Sequence, residues 1–244
     1  MIYRRWSVIE QAVVQRERWS GIYGAKCTPL VYPGQMVLPD QPVLRLPPVK
    51  SLAPGSRQPF TEIVPAGLLG RVVKITQRGG VIIESRATVM KGTIGFGNQV
   101  AGVLTLWLPG GNERLSAATL PPGALLIVPG TISFAFLHQA LASGISGVIA
   151  SSIAAADLEG FLRTDLIQLL DYDDTEMVQA HLPPITLFLT EGLGTFAMPS
   201  PVVMLLSHYQ GRVALLSGVT SARRSIFPEL VISLSQQDEQ PHAV

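Results

Sequence analysis

Residues 124–153 read ALLIVPGTISFAFLHQALASGISGVIASSI and contain no Asp, Glu, Lys or Arg. The first five residues are apolar and end at Pro129, which predicts a short buried strand. From Phe134 onward, apolar residues recur at i, i+3 and i+7, which predicts a helix over residues 133–142. A second apolar run begins at Gly147 and predicts another buried strand. Together these elements indicate a βαβ unit with two parallel strands.

The same alternation continues toward the C-terminus. The pattern predicts a helix over 155–170, a third strand over 185–189, a third helix over 201–208, and later strands over 213–216 and 230–234. This order predicts an α/β domain with a mainly parallel sheet over residues 109–235. The polar residues 236–244 are predicted to form a flexible tail.

Before this domain the pattern changes to short β-like pieces separated by Pro and Gly. Two β-branched runs flank residues 77–80, which predicts a hairpin. Residues 21–108 are therefore predicted to form a β-rich domain, with residues 47–60, rich in Pro, Ser and basic residues, as a linker within it. The first 20 residues place Trp, Ile and Val among charges and predict a helix or an arm. The fold class expected for the chain is α/β, or α+β overall.

Residues 31–46, VYPGQMVLPDQPVLRL, resemble the half-motif of barrel-sandwich hybrid folds, to which biotinyl and lipoyl carrier domains belong. This resemblance implies a barrel-sandwich or small-barrel architecture for the N-terminal domain. Carrier domains present a modified lysine within a Met-Lys-Met tip. Here Met90 precedes Lys91, but the second Met is missing and the pair lies outside the matching residues. The resemblance therefore implies no prosthetic group.

Residues 67–75, GLLGRVVKI, look like the KOW-type β-hairpins of ribosomal and transcription-elongation proteins. The resemblance implies phosphate contacts from nearby cations. These cations are Arg71, Lys74, Arg78, Arg86 and Lys91. The alternative is that alternating Arg and Lys side chains hydrate the outer face of a half-buried hairpin.

Residues 121–150 resemble swivelling β/β/α modules such as protease-associated domains, in which a strand, a helix and a Gly-x-x-Gly-Val-Ile strand recur. Such modules mostly serve as interaction or lid elements. This resemblance implies binding more than catalysis. None of the three resemblances implies a particular enzyme.

Composition excludes several classes of protein. Hydrophobic residues make up 47% of the 244 residues and charged residues only 14%, so disorder is excluded as a description of the whole chain. The single cysteine, Cys27, excludes an intramolecular disulfide. Residues 115–156 lack charges, but Pro and Gly interrupt them repeatedly, and we expect no membrane insertion. Polar residues follow the basic pair at positions 4 and 5, and a cytoplasmic location is expected.

Charge is distributed unevenly along the chain. Residues 1–80 carry 11 Lys and Arg against 4 Asp and Glu, whereas residues 81–244 carry 7 against 13. This asymmetry is compatible with two modules that have different partners. It is equally compatible with two faces that attract one another within or between subunits.

Polar residues follow the predicted parallel strands at the points where each strand ends. Thr131 follows the first strand, Ser151 and Ser152 the second, and Thr190 and Glu191 the third. Ligands of open parallel sheets bind outside the carboxyl ends of the strands, so these five residues form the predicted ligand-binding site. Glu191 is the one catalytic candidate. The alternative is that its side chain caps a turn or meets the arginine of a partner.

Metal ligands are sparse in the sequence. No two of the four histidines are separated by three or four positions, and Cys27 is the only cysteine. The acidic residues 171–176 lack the Gly and the terminal Glu of a calcium loop. The sequence therefore predicts no metal site and no cofactor.

The leading functional hypothesis is a non-enzymatic binding or structural protein that assembles as a homo-oligomer. It depends on the high apolar fraction, because apolar surface beyond what a small core hides commonly lies in subunit interfaces. One alternative is a nucleic-acid- or ribosome-associated protein that uses its basic N-terminal half. A second alternative is a small-ligand binder or enzyme that uses the strand-end crevice near Glu191.

Overall fold

The computed structural model describes residues 6–20, 27–47, 63–108, 123–166, 185–221 and 225–235. These residues form two compact units. Unit 1 comprises the described residues within 1–10 and 88–232, and unit 2 comprises those within 11–87 and 233–244. Residues 88–108 thus group with the C-terminal part of the chain, whereas the sequence pattern grouped them with the N-terminal β-rich residues.

Seven strands of the described chain lie between the N-terminus and residue 91. They are β1 (Ser7–Arg18), β2 (Thr28–Pro29), β3 (Met36–Val37), β4 (Pro42–Arg45), β5 (Ile63–Pro65), β6 (Gly70–Ile75) and β7 (Val81–Lys91). The division falls within β1, after Glu10, within β7, after Ala87, and once more after Ile232. Both strands therefore contribute residues to each unit.

Unit 2 is β-rich, as predicted. Strands β3, β6 and β7 form antiparallel pairs, and β2, β4 and β5 form a separate antiparallel sheet. The predicted hairpin is confirmed by β6 and β7, which pair Val72 with Ile83 and Ile75 with Val81. Val73 is an extra residue in β6, where the register shifts. The side chains of Val72 and Ile83 are buried and contribute to the core of this unit.

The prediction of a helix at the N-terminus is wrong, because residues 7–18 form strand β1. This strand pairs with β7. Its β-branched residues, among them Val8 and Val13, suit a pleated surface better than a helix. Gln15 also donates a hydrogen bond of 2.8 Å to Glu84 of β7. Pairing with a strand distant in sequence therefore outweighs the weak helical period of the segment.

Unit 1 contains seven further strands and, among the described residues, three helices. They are β8 (Ile94–Phe96), β9 (Gln99–Leu106), β10 (Leu125–Ile132), α1 (Phe134–Ala142), β11 (Gly147–Ile153), α2 (Ala155–Leu162), β12 (Thr186–Leu193), α3 (Ser200–His208), β13 (Val213–Ser217) and β14 (Glu229–Ser233). The strand order is β14-β13-β9-β10-β11-β12-β8. The predicted strands and helices from residue 124 onward therefore occur close to their expected positions, except that α2 ends at Leu162, where Arg163 adopts a left-handed conformation, and not at residue 170.

The sheet of unit 1 is mixed, which corrects the prediction of a mainly parallel sheet. The four central strands β9, β10, β11 and β12 run parallel to one another. The pairs β12–β8, β13–β9 and β13–β14 are antiparallel. Hydrophobic periodicity reports whether a strand is buried and does not report the direction of its neighbour. The described chain as a whole is mostly β.

The parallel centre of the sheet is buried on both faces. Every residue of β11 is buried, and one face packs against α1 and α2 through Val148, Leu137 and Leu158. Ser133 caps α1, because its side chain accepts a hydrogen bond from the backbone N–H of Phe136 at 3.3 Å. This packing holds the carboxyl ends of the central strands in a fixed position.

The register is irregular on both sides of β11 at its carboxyl end. On one side, Val128 pairs with Ala150 and Thr131 with Ser152, so β10 carries one extra residue. On the other side, Leu189 pairs with Ala150 and Gly192 with Ser152, so β12 carries one extra residue as well. Such bulges redirect side chains and interrupt regular pairing. They therefore define the edge at which the predicted site lies.

Several predictions concern residues outside the described ranges. These are most of the linker at 47–60, the end of the predicted helix at 167–170, the acidic residues 171–176 and the tail at 236–244. Across the described ranges, no helix combines the length and the apolar character that crossing a bilayer requires.

Candidate functional site

The structure brings three of the five predicted ligand-binding residues together. The hydroxyl oxygens of Thr131 and Ser152 lie 3.0 Å apart, and those of Ser151 and Ser152 lie 3.4 Å apart. Thr131 belongs to β10, and the two serines belong to β11. The extra residue of β10 aligns Thr131 with Ser152 across the two strands, which allows their side chains to meet. We call these three residues the hydroxyl cluster.

The hydroxyl cluster surrounds the main chain of Phe196. The Ser152 hydroxyl oxygen accepts a hydrogen bond of 2.8 Å from the Phe196 N–H and lies 3.1 Å from the Phe196 carbonyl oxygen. Ser151 donates a hydrogen bond to the same carbonyl, and the Thr131 hydroxyl lies 3.4 Å from it. A carbonyl oxygen has two lone pairs, so three neighbouring hydroxyls exhaust its capacity to accept. The cluster is therefore occupied by the protein's own peptide group.

Two further hydrogen bonds hold this segment of chain across the strand ends. The Gly194 N–H donates to the Ile153 carbonyl at 2.8 Å, and the Met198 N–H donates to the Pro129 carbonyl at 3.0 Å. Gly194 has φ +132°, which L side chains rarely adopt. The Phe196 ring is 54% exposed, so the segment is held through its main chain and not through this side chain. We call residues 194–198 the covering segment.

The other two predicted site residues, Thr190 and Glu191, precede the covering segment in sequence but form no side-chain hydrogen bond with it. Thr190 is wholly buried, and its hydroxyl has no hydrogen-bond partner. Glu191 is half-buried as a residue, while its Oε1 atom is buried and also without a partner. The Thr190 carbonyl accepts a hydrogen bond of 2.5 Å from the Thr93 hydroxyl, so the backbone at this point is firmly held. The strand end thus carries two buried polar atoms that the protein leaves unsatisfied.

Such atoms are uncommon in native proteins, because a buried polar group without a partner destabilises the fold by about 1–3 kcal/mol. Among the described residues, only Asn98 Oδ1 shares this condition. The main-chain oxygen of Asn98 accepts a hydrogen bond from Thr186 at the opposite end of β12. Thr190 and Glu191 therefore form a pair of unsatisfied atoms separate from Asn98.

The five cations predicted to contact phosphate are divided between the units. Lys91 belongs to unit 1, and the other four belong to unit 2. Arg78 forms a bidentate ion pair with Glu17, with N···O distances of 2.8 and 2.5 Å, and lies 4.7 Å from the centre of the Trp19 ring. Arg86 donates a hydrogen bond of 3.0 Å to Gln11, Arg71 lies opposite Glu84 in the register between β6 and β7, and Lys74 is exposed on β6.

No protein-family model, no curated protein and no solved structure matches this chain. Within the described ranges, no three His, Cys, Asp or Glu side chains gather as metal ligands would. The contacts, burial and charge of the strand-end residues therefore carry the functional conclusion.

The Ser152 hydroxyl is predicted to hold the covering segment in place. We expect Ser152→Ala to lower the free energy of unfolding by about 1–3 kcal/mol, because it removes two hydrogen bonds to the backbone of Phe196. It also accelerates hydrogen exchange at the Phe196 amide, which urea unfolding and NMR exchange can measure together. Thr131→Val removes the 3.0 Å contact with Ser152 and a long contact with the Phe196 carbonyl, but it leaves both contacts between Ser152 and Phe196, so it serves as the comparison. Equal, small effects of both changes would contradict this role.

The Glu17–Arg78 pair is predicted to make unit 2 less stable in acid. The hydrogen bond from Arg78 lowers the pKa of Glu17 below its ordinary value of 4.5. A lowered pKa in the folded state stabilises the fold above pH 4.5, and this contribution is lost as the pH falls through the lowered pKa. We expect Glu17→Gln to cost about 0.5–1 kcal/mol at pH 7, since the pair is partly exposed, and less at pH 3. Urea unfolding at both pH values measures the difference.

The matched control is Glu10→Gln, which removes an exposed carboxyl from the same strand. At pH 7 it should lower the free energy of unfolding by less than Glu17→Gln does. A Glu17→Gln variant whose loss of stability is the same at pH 3 and pH 7 would show that the charge of Glu17 has no part in it.

Proposed function

We propose that this chain is a non-enzymatic binding protein and that unit 1 binds a small polar molecule at the carboxyl ends of β11 and β12. The observation that carries this proposal is the pair of buried, unsatisfied atoms, Thr190 Oγ1 and Glu191 Oε1. Ligands of sheets with parallel strands commonly bind at this end. A bound ligand that supplies hydrogen-bond partners would remove the energetic penalty of leaving these atoms unsatisfied.

The use of the serine hydroxyls supports binding rather than nucleophilic catalysis. A catalytic serine is activated by a hydrogen bond to a general base. Ser151 instead donates to the Phe196 carbonyl, and Ser152 contacts both polar groups of the same residue. A peptide carbonyl is not a base that can take the hydroxyl proton. These contacts favour a structural role for both serines.

Thr190 offers a test that needs no knowledge of the ligand. Thr190→Val removes a buried hydroxyl without a partner, so we expect the free energy of unfolding to stay the same or to rise by about 1 kcal/mol. The matched control lies on the same strand. Thr186 is also buried, but its hydroxyl donates to the Asn98 carbonyl at 2.8 Å. Thr186→Val should therefore lower stability by about 1–3 kcal/mol.

Urea unfolding measures the free energy of unfolding of both variants. If Thr190→Val destabilises the protein as much as Thr186→Val does, the Thr190 hydroxyl is satisfied within the protein. The proposal of a ligand at this position would then be withdrawn.

Self-association through unit 2 is the second candidate property, and it follows from exposed apolar side chains near one strand. Tyr32, Met36 and Leu38 are all more than half exposed. Met36 belongs to β3, which in the described part of unit 2 pairs with β6 only. A strand with an open edge and apolar side chains readily pairs with another chain. We therefore propose that two copies associate at the edge formed by β3.

Size-exclusion chromatography with light scattering at micromolar concentration tests this association. We expect the unmodified protein to elute as an oligomer and Met36→Lys to shift it toward the monomer, because a charge opposes edge pairing. Met204→Lys is the matched control, since Met204 is similarly exposed but lies on α3 of unit 1. A monomeric unmodified protein, or equal effects of both changes, would contradict the association.

A further inference from the structure

We infer that the molecule bound at Thr190 and Glu191 carries a positively charged ammonium group, which pairs with the Glu191 carboxylate. This inference rests on the proposed binding function and specifies the chemical class of the ligand. It depends on three properties of the site, which are its charge, its acceptor atoms and its local backbone geometry.

The carboxylate of Glu191 favours a positively charged ligand. An ionised carboxylate offers only acceptors, and burying one without a partner is costly unless a positive charge accompanies it. In the described part of the chain, Glu191 forms no ion pair, and its buried Oε1 receives no hydrogen bond. Glu17 shows the contrast, because Arg78 satisfies both of its oxygens. The ligand is therefore expected to supply for Glu191 what Arg78 supplies for Glu17.

The acceptor atoms fit an ammonium group better than a metal ion. Hard metal ions require six or more oxygen ligands, and no group of three acidic or metal-binding side chains occurs among the described residues. An ammonium group has three N–H donors and is satisfied by few acceptors. Glu191 Oε1 can accept one N–H, and Thr190 Oγ1 can accept another. Hydrogen bonds between charged groups are about twice as strong as neutral ones, which favours an amine over an alcohol.

The local backbone allows the two side chains to serve one ligand. In a regular strand, neighbouring residues point to opposite faces. Thr190 and Glu191 lie where the register between β12 and β11 shifts by one residue, between Leu189 and Gly192. The strict alternation of faces is interrupted at such a bulge. Glu191 is also only half-buried, so part of this residue remains exposed to solvent.

The experiment compares four probes that share either size or charge. They are n-butylammonium, n-butanol and butyrate, which have short alkyl chains of similar size and different head groups, and potassium ion, which has the charge without N–H donors. Each is titrated into the full chain at neutral pH and low salt, and binding is followed by NMR at the amides of Thr190 and Glu191. We expect n-butylammonium to bind at least about tenfold more tightly than n-butanol. Butyrate and potassium should not shift these amides.

Two variants assign the binding to the carboxylate. Glu191→Gln should weaken n-butylammonium binding at least about tenfold while leaving n-butanol binding unchanged. Glu191→Asp keeps the charge and should retain part of the affinity. Glu10→Gln removes an exposed carboxyl elsewhere and should have no effect. The NMR spectrum of each variant shows directly whether the fold is intact.

The outcomes separate this inference from the function on which it rests. Equal binding of n-butylammonium and n-butanol, or potassium shifts as large as those of the amine, would overturn the inference. So would unchanged amine binding in Glu191→Gln, or the absence of any shift from the amine. The proposed function is judged separately, by the stability of Thr190→Val against Thr186→Val.

Discussion

The structural constraint on which the site depends is the mismatch in residue number around β11. This strand is buried along its whole length and pairs with a parallel neighbour on each side. Both neighbours carry one extra residue at the carboxyl end. A parallel sheet with both faces covered cannot absorb such a mismatch by turning a side chain to solvent. The extra residues appear instead as bulges, and the polar residues of the site lie at these bulges.

The two bulges have different consequences for the polar groups around them. At the β10 bulge, Thr131 reaches Ser152, and the hydroxyl cluster binds the main chain of Phe196. At the β12 bulge, Thr190 and Glu191 keep buried atoms that the protein does not satisfy. Natural proteins rarely retain such atoms without a functional reason, since removing them would be stabilising. The polar groups at the β10 bulge are therefore satisfied within the protein, whereas those at the β12 bulge carry the proposed binding role.

In unit 2, the charged side chain of Arg78 forms contacts that stabilise the fold. Arg78 follows the end of β6 and immediately precedes Gly79 and Gly80. The sequence suggests a solvated hairpin tip at this position. The guanidinium of Arg78 instead contacts Glu17 and Trp19, which lie about sixty positions earlier in the chain. This contact joins the hairpin turn to the end of β1. A run of cations in the sequence therefore overstates the positive charge available to a nucleic acid, because long-range pairing neutralises part of it.

The sequence by itself determined where the buried strands and helices of unit 1 lie, and it identified the polar residues at their carboxyl ends. Periodicity and turn residues suffice for this, because they are properties of neighbouring positions. Only the tertiary structure decided that residues 7–18 pair as a strand, that the outer strands of the unit 1 sheet are antiparallel, and that Phe196 occupies the hydroxyl cluster. Gly192 precedes the covering segment and Gly194 begins it, and these glycines are visible in the sequence. They do not predict the hydrogen-bond partners of the segment. Strand direction, bulge position and hydrogen-bond partners depend on contacts between residues far apart in sequence, and such contacts leave no regular local pattern.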